Sequence, residues 1–166
     1  MIIYFWIIFA VCVLDQLTKL YAMDTIAAAN GLTAETLTEG STLPIIEDVL
    51  HMTYIENSGM SFGLLSEHRW VFMLLSTVGI VALFVYLIYI KGQDKLLSFS
   101  LSLMIGGGIG NMFDRTTLGY VVDFVDFCYF DFWKWIFNLA DACICVGAAL
   151  MVIAVLVSYK KEKANA

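Results

Sequence analysis

The chain has 166 residues, of which 61% are hydrophobic and 14% are charged, and its formal net charge is −6. Soluble domains carry about 25% charged residues, and nucleic-acid-binding domains present a basic stripe. The composition therefore excludes both classes and predicts a single-domain integral membrane protein with no nucleic-acid partner.

Four apolar segments are long enough to cross about 30 Å of hydrocarbon as α-helices. They cover residues of about 2–23, 70–90, 96–113 and 136–159. The first segment lacks the basic start and the cleavage site of a secretory signal peptide, and Asp15 interrupts it, so we predict a retained helix. The expected fold is an all-α bundle of four transmembrane helices.

The distribution of basic residues predicts the orientation of this bundle. Lysines occur in the turn at 91–95 and at 160–163, whereas residues 24–69 hold seven acidic residues and one basic residue. Because cytoplasmic loops are enriched in Lys and Arg, we expect both termini inside and the loops 24–69 and 114–135 outside. Three tryptophans then fall at the outer interface, where indole rings prefer to lie: Trp70, Trp133 and Trp135.

The first outer loop divides into two parts. Residues 27–42 read as a polar connector, whereas residues 44–63 are rich in β-branched and aromatic residues and include the turn sequence Asn57-Ser58-Gly59. These features are typical of short strands. We therefore predict a small β-cradle over about 44–63, on the outer face of the membrane.

Acidic residues cluster in the stretch from 110 to 141. Asn111 and Asp114 are three residues apart at the end of the third segment, as are Asn138 and Asp141 near the start of the fourth. Residues at this spacing share a helix face, and Asp123 lies in the loop between the two segments. Ionisable groups near lipid are costly and usually functional, so these residues form a candidate site at the outer face.

Two carboxylates held close in a partly dry site share a proton near neutral pH. One can then act as a base towards water while the other acts as an acid. The alternative is a set of helix caps and ion pairs, particularly for Asp114 beside Arg115. The spacing alone leaves open which carboxylates would pair.

Several other residues suggest structural contacts rather than chemistry. Asp15 and Lys19, at i and i+4, predict an intrahelical ion pair, or a substrate contact through the lysine. Gly106 and Gly110 have the spacing of a helix-packing face. His51 has no ligand at helical spacing, and we predict neither a metal site nor any other cofactor.

Five motifs, in this order, resemble those of the lipoprotein signal peptidase (signal peptidase II) family over nearly the whole chain. They are Asp15-Gln-Leu-Thr-Lys19, Asn57-Ser-Gly-Met-Ser-Phe62, Gly110-Asn-Met-Phe-Asp-Arg115, Val122-Asp-Phe124 and Phe137-Asn-Leu-Ala-Asp141. Met60, where this family usually has a small residue, and the long connector 27–42 depart from the pattern.

The resemblance implies an aspartic endopeptidase of the bacterial cytoplasmic (inner) membrane, with its active site at the extracytoplasmic face. It implies cleavage of prolipoproteins just before a cysteine that carries diacylglycerol, without a metal, and inhibition by globomycin-type cyclic peptides. The partners would therefore be diacylglyceryl-modified prolipoproteins and membrane lipids. The implied catalytic dyad is Asp123 and Asp141, supported by Asp15, Lys19, Asn57, Asn111, Asp114, Arg115 and Asn138.

Two other classes fit the composition. A small proton-coupled transporter would also hold acids among four helices, although transporter sites usually lie near the bilayer midplane. A non-enzymatic assembly subunit could use Gly106 and Gly110 as its packing face.

Overall fold

The computed structural model describes residues 1–59, 69–129 and 135–165. Met60, the predicted end of the cradle at 60–63 and Trp133 lie outside these ranges. The elements follow one another as α1 (Ile2–Ala29), β1 (Thr42–Ile46), β2 (Leu50–Asn57), α2 (Arg69–Tyr89), α3 (Lys95–Thr117), β3 (Val121–Phe127), β4 (Ile136–Phe137) and α4 (Leu139–Asn165).

The described part of the chain is mostly helical. Its helices that are long and apolar enough to cross a membrane are Ile2–Ala29, Lys95–Thr117 and Leu139–Lys161. In the segment expected to span at 70–90, the apolar helix is the shorter stretch Met73–Tyr89. Large hydrophobic side chains are exposed along these helices, Trp6 and Val155 among them, as expected for surfaces in contact with lipid.

Helix α3 lies at the centre of the bundle and contacts each of the other three helices. Leu101 and Ile105 on α3 are fully buried. The glycine-rich turn of α3 allows close approach of its neighbours: a Cβ on Gly106 would lie 2.7 Å from Val11 Cβ of α1. A Cβ on Gly107 would overlap the carbonyl oxygen of Ala140 in α4.

A four-stranded antiparallel sheet, in the order β1-β2-β3-β4, lies at the end of the bundle where α3 ends and α4 begins. The strand prediction covered the first outer loop only, but β3 and β4 come from the second. Ile136 and Phe137 pair with Asp126 and Val125 of β3. They therefore form a strand, and α4 starts at Leu139 instead of about 136.

A second apolar cluster fixes the sheet to the end of α1. Ala22 and Ile26 of α1 pack against Tyr54 of β2 and against Val122 and Phe124 of β3. Successive side chains of a strand point to opposite faces. Because Val122 and Phe124 face this cluster, the side chain of Asp123 between them points away from it.

Candidate active site

The start of α4 is held by a reciprocal pair of hydrogen bonds between Asn138 and Asp141. The Asp141 backbone N–H donates to Asn138 Oδ1 at 2.9 Å, and the Asn138 backbone N–H donates to Asp141 Oδ2 at 3.3 Å. This is the geometry of a capping box, here with Asp in place of the usual Glu or Gln. The spacing of three residues noted in the sequence thus fixes the Asp141 carboxylate at the first turn of the helix.

Asp123 lies on β3, where only 1% of its surface is exposed. Two amides donate to its carboxylate: Asn57 Nδ2 to Oδ2 at 2.8 Å and Asn138 Nδ2 to Oδ1 at 2.6 Å. Burial, with the negative charge of Asp141 adding to it, raises the pKa of Asp123 to about 6, while the two amides oppose the shift. This carboxyl therefore exchanges its proton near neutral pH.

Asn111 connects the two carboxylates. Its amide donates to Asp141 Oδ1 at 2.7 Å, and its Oδ1 accepts from Asn138 Nδ2 at 3.1 Å. Asn138 in turn donates to Asp123, so the two acids are joined through a pair of asparagines. Both Asn111 and Asn138 are buried, which fixes their amides in place because buried polar groups are costly to leave unpaired.

Asp114 has a different set of contacts. Lys19 Nζ lies 2.7 Å from Asp114 Oδ2, and Gln16 donates to Oδ1 at 2.8 Å. The backbone N–H of Val122 also donates to Oδ2, at 3.2 Å. Asp114 therefore ties α1 and β3 to the end of α3.

The predicted ion pair of Asp15 and Lys19 is present and almost fully buried. Lys19 Nζ lies 2.7 Å from Asp15 Oδ2 and 3.1 Å from Asn111 Oδ1. Asp15 Oδ1 accepts from the backbone N–H of Ala140 at 2.9 Å. The lysine is therefore enclosed in a structural clasp that links α1 to α3 and α4.

Gln16 is a member of this network that the sequence analysis did not single out. Besides its bond to Asp114, it donates to the carbonyl oxygen of Gly110 at 3.3 Å. The signal for its role was its position beside Asp15 in an otherwise apolar helix.

A cavity of about 310 Å³ opens between α2, α3 and α4 beside this network. Polar groups from Asn111, Arg115 and Asp141 line one side of it, and apolar side chains such as Ile80 and Met104 line the rest. The Arg115 guanidinium donates to the carbonyl oxygen of Asn111 at 3.3 Å. The cavity thus places apolar side chains next to the partly buried carboxylate of Asp141.

The fold and the site together define a membrane-embedded protein with a network of carboxylates and amides at one end of its helices. A model of the family described as signal peptidase (SPase) II matches residues 7–157. The chain therefore belongs to the signal peptidase II family, as its motifs suggested, and is an aspartic-type peptidase, a hydrolase.

Curated relatives match this chain over nearly its full length. The lipoprotein signal peptidase of Halothermothrix orenii is 37% identical over 147 residues, covering 89% of this chain and 90% of that protein. The lipoprotein signal peptidase of Clostridioides difficile is 34% identical over 165 residues, covering 97% of this chain and 99% of that protein. The one of Bacillus pumilus is 36% identical over 160 residues, covering 96% of each.

Two solved structures of a bacterial membrane enzyme, both obtained by the in meso method, share the fold. One has a TM-score of 0.70 and 29% identity and covers 92% of each chain. The other has a TM-score of 0.70 and 28% identity, covering 95% of this chain and 90% of that one. Family membership supports removal of signal peptides from prolipoproteins and supports neither the transporter nor the assembly subunit considered above.

Proposed function

We propose that Asp123 and Asp141 form the catalytic dyad that activates water for cleavage of a prolipoprotein signal peptide. The observation that carries this assignment is the link between the two carboxylates through Asn111 and Asn138. Asp114, the third candidate, is engaged by Lys19 in a buried ion pair. Asp123 and Asp141 instead accept hydrogen bonds from amides, with the Arg115 guanidinium close enough to act on both charges.

The environments of the two acids suggest their roles. Asp123 has the raised pKa, about 6, so in this mechanism it carries the proton, and Asp141, beside the cavity, acts as the base. Asp141 takes a proton from water as the water oxygen bonds to the scissile carbonyl carbon, and Asp123 gives its proton to the carbonyl oxygen. When the C–N bond breaks, Asp141 returns its proton to the leaving nitrogen, and a hydroxyl of the intermediate reprotonates Asp123.

The substrate in this proposal is a prolipoprotein whose cysteine already carries diacylglycerol, and the cut falls directly before that cysteine. The apolar lining of the cavity between α2, α3 and α4 suits a lipid-exposed signal segment or acyl chain. Arg115, beside Asp141, is placed to bind a carbonyl or ester oxygen. Inhibitors of the globomycin type would compete with the substrate for this cavity.

The membrane arrangement we propose has four spanning helices, both termini in the cytoplasm, and the dyad at the extracytoplasmic face of the cytoplasmic membrane. The lysines beside 91–95 and after the fourth helix support this orientation. Trp70 and Trp135 are 64% and 61% exposed, and both lie at the bundle end that carries the sheet. Exposed indoles at that level suit a membrane–water interface.

The test is cleavage by the purified protein in lipid, without other components. A diacylglyceryl-modified precursor should be cut, and mass spectrometry should place the cut before the modified cysteine. The matched substrate has serine in place of that cysteine and should remain intact. Cleavage should continue in the presence of a chelator. Equal cleavage of both substrates, or a loss of activity that added metal restores while the thermal midpoint stays unchanged, would refute the proposal.

A further inference from the structure

A mixed set of metal-binding side chains meets on the sheet, away from the proposed dyad. The antiparallel register places His51 of β2 opposite Asp126 of β3, and Cys128 follows the end of β3. One ligand atom from each of these side chains lies within 4.8 Å of the other two. Sequence spacing did not predict this cluster, because His51 meets Asp126 and Cys128 across two strands and not along a helix.

Within the described part of the chain, the imidazole of His51 in this cluster has an unpaired nitrogen. Its Nε2 atom is buried and has no hydrogen-bond partner among the described residues. A buried polar atom without a partner is energetically costly. An unpaired imidazole nitrogen is also the atom through which histidine most often binds metals.

The other two side chains are oriented by hydrogen bonds that leave ligand atoms available. Thr53 Oγ1 donates to Asp126 Oδ2 at 2.8 Å, and Thr42 Oγ1 lies 2.9 Å from Thr53 Oγ1. The Cys128 thiol donates to the backbone carbonyl oxygen of Asp126 at 3.8 Å, and its backbone N–H donates to the carbonyl oxygen of Val49 at 3.0 Å. Such outer hydrogen bonds are typical of metal sites, where they hold ligands in position.

The local charge favours a cation. The Asp126 carboxylate lies within 4.8 Å of the ligand atoms of His51 and Cys128, and Asp48 adds a second negative charge nearby. A bound divalent cation would offset this negative potential. A nitrogen, a carboxylate oxygen and a sulfur together suit Zn²⁺, whereas Mg²⁺ and Ca²⁺ prefer oxygen ligands alone.

We propose that His51, Asp126 and Cys128 form a zinc site that fastens β2 to β3. Bond lengths of about 2.0–2.3 Å to zinc require the three ligand atoms to draw together slightly, which side-chain rotation can supply. Water completes the coordination. The role is structural: the same two strands carry Asn57 and Asp123 nearer the other end of their ladder, so zinc would stabilise the sheet that positions the dyad without taking part in cleavage.

Titration of metal-free protein with Zn²⁺ alone tests the proposal. We expect one high-affinity equivalent, at least tenfold weaker binding in His51→Ala and in Cys128→Ser, and unchanged binding in Cys145→Ser, which removes an exposed thiol from α4. Zinc should also raise the thermal midpoint of the unsubstituted protein but not of Cys128→Ser.

Cobalt binding to the unsubstituted protein gives a readout that does not depend on the folding of a variant. Co²⁺ should produce a thiolate-to-cobalt charge-transfer band that zinc abolishes. Absence of that band, or equal zinc affinity in all three variants, would overturn the proposal. Precursor cleavage measured on the same samples separates this outcome from failure of the proposed function, because cleavage without zinc binding refutes the zinc site alone.

Discussion

Asp15 of α1 accepts a hydrogen bond of 2.9 Å from the backbone N–H of Ala140, although 125 positions separate the two residues in the chain. The same carboxylate holds Lys19, whose ammonium also contacts Asp114. Since Ala140 directly precedes Asp141, the first helix helps to fix the proposed base. The polar residues of α1 are therefore part of the scaffold of the site.

Replacement of Asp15 by alanine should destabilise the protein strongly. It leaves a backbone N–H and part of a buried ammonium unpaired, and breaking a buried ion pair costs on the order of 3 kcal/mol. Asp15→Asn should lose less, because its oxygen can still accept from Ala140. Thermal unfolding in detergent measures both. Asp24→Ala removes an exposed acid from the same helix and should change little. Equal midpoints for Asp15→Ala and Asp24→Ala would contradict the assignment.

Gly107 should not tolerate a side chain. A Cβ there would overlap the Ala140 carbonyl oxygen and lie 3.0 Å from Ile144 Cγ1, so Gly107→Ala should cost about 1–3 kcal/mol through overpacking. Gly79→Ala is the matched control, because nothing lies within 4 Å of its added Cβ. It should leave the stability unchanged or raise it by up to about 1 kcal/mol. The same unfolding assay compares them, and equal stability of the two variants would be inconsistent with the close packing of α3 on α4.

Asn138→Ala should reduce activity far more than stability alone explains. The substitution removes the cap of α4, worth about 1 kcal/mol, and also the amide that donates to Asp123. Asp94→Ala removes the cap at the start of α3, where Asp94 accepts from the Leu97 N–H at 2.9 Å. Asn138→Ala should lose more stability than Asp94→Ala, because it also leaves buried partners unpaired, so cleavage is compared at a temperature where both variants are folded. Under that condition only Asp94→Ala should retain precursor cleavage. Parallel losses of activity would show that Asn138 acts only as a cap.

The pH dependence of cleavage should report Asp123. Its pKa is raised to about 6, and the proposed mechanism uses its protonated form, so kcat/KM should fall as pH rises through that value. Asn57 donates to the ionised carboxylate at 2.8 Å and thereby lowers the pKa. Asn57→Ala should therefore move this fall to higher pH, by about one unit. Glu47→Gln, in the exposed β1–β2 turn, should leave the profile in place, and a shift to lower pH in Asn57→Ala would refute the role of Asp123.

Local spacing predicted the parts of the site that lie within one helix. Asp15 and Lys19 meet as i and i+4 neighbours, and Asn138 and Asp141 form their pair as i and i+3 neighbours. Residues at these spacings lie on one face of a helix, but the spacing alone is not sufficient. Asn111 and Asp114 are also three apart, yet Asn111 donates to Asp141 and Asp114 contacts Lys19 instead. The spacing of Gly106 and Gly110 in α3 likewise predicted a close contact with another helix, without indicating which helix it would be.

Contacts between different helices and strands could not be predicted from local spacing. The bond from Ala140 to Asp15 and the ion pair from Lys19 to Asp114 depend on which helix ends meet, and no periodicity in one chain encodes that. Asp123 was expected in a loop, but Val121–Phe127 is a strand because β2 supplies its hydrogen-bond partners. The choice of Asp123 and Asp141 as the dyad came from family motifs, and the amide network gives it a physical basis.

The most direct test of the account is the rate of precursor cleavage by Asp123→Asn and Asp141→Asn. Each substitution keeps the size of the side chain but removes its ability to exchange a proton, and general acid–base catalysis contributes about 100-fold to 10,000-fold. We expect both variants to insert and remain folded, although each loses one accepted hydrogen bond. Cleavage of a diacylglyceryl-modified precursor should fall at least about 100-fold, while Glu47→Gln stays active. Cleavage at an undiminished rate by either variant would contradict the assignment of the dyad.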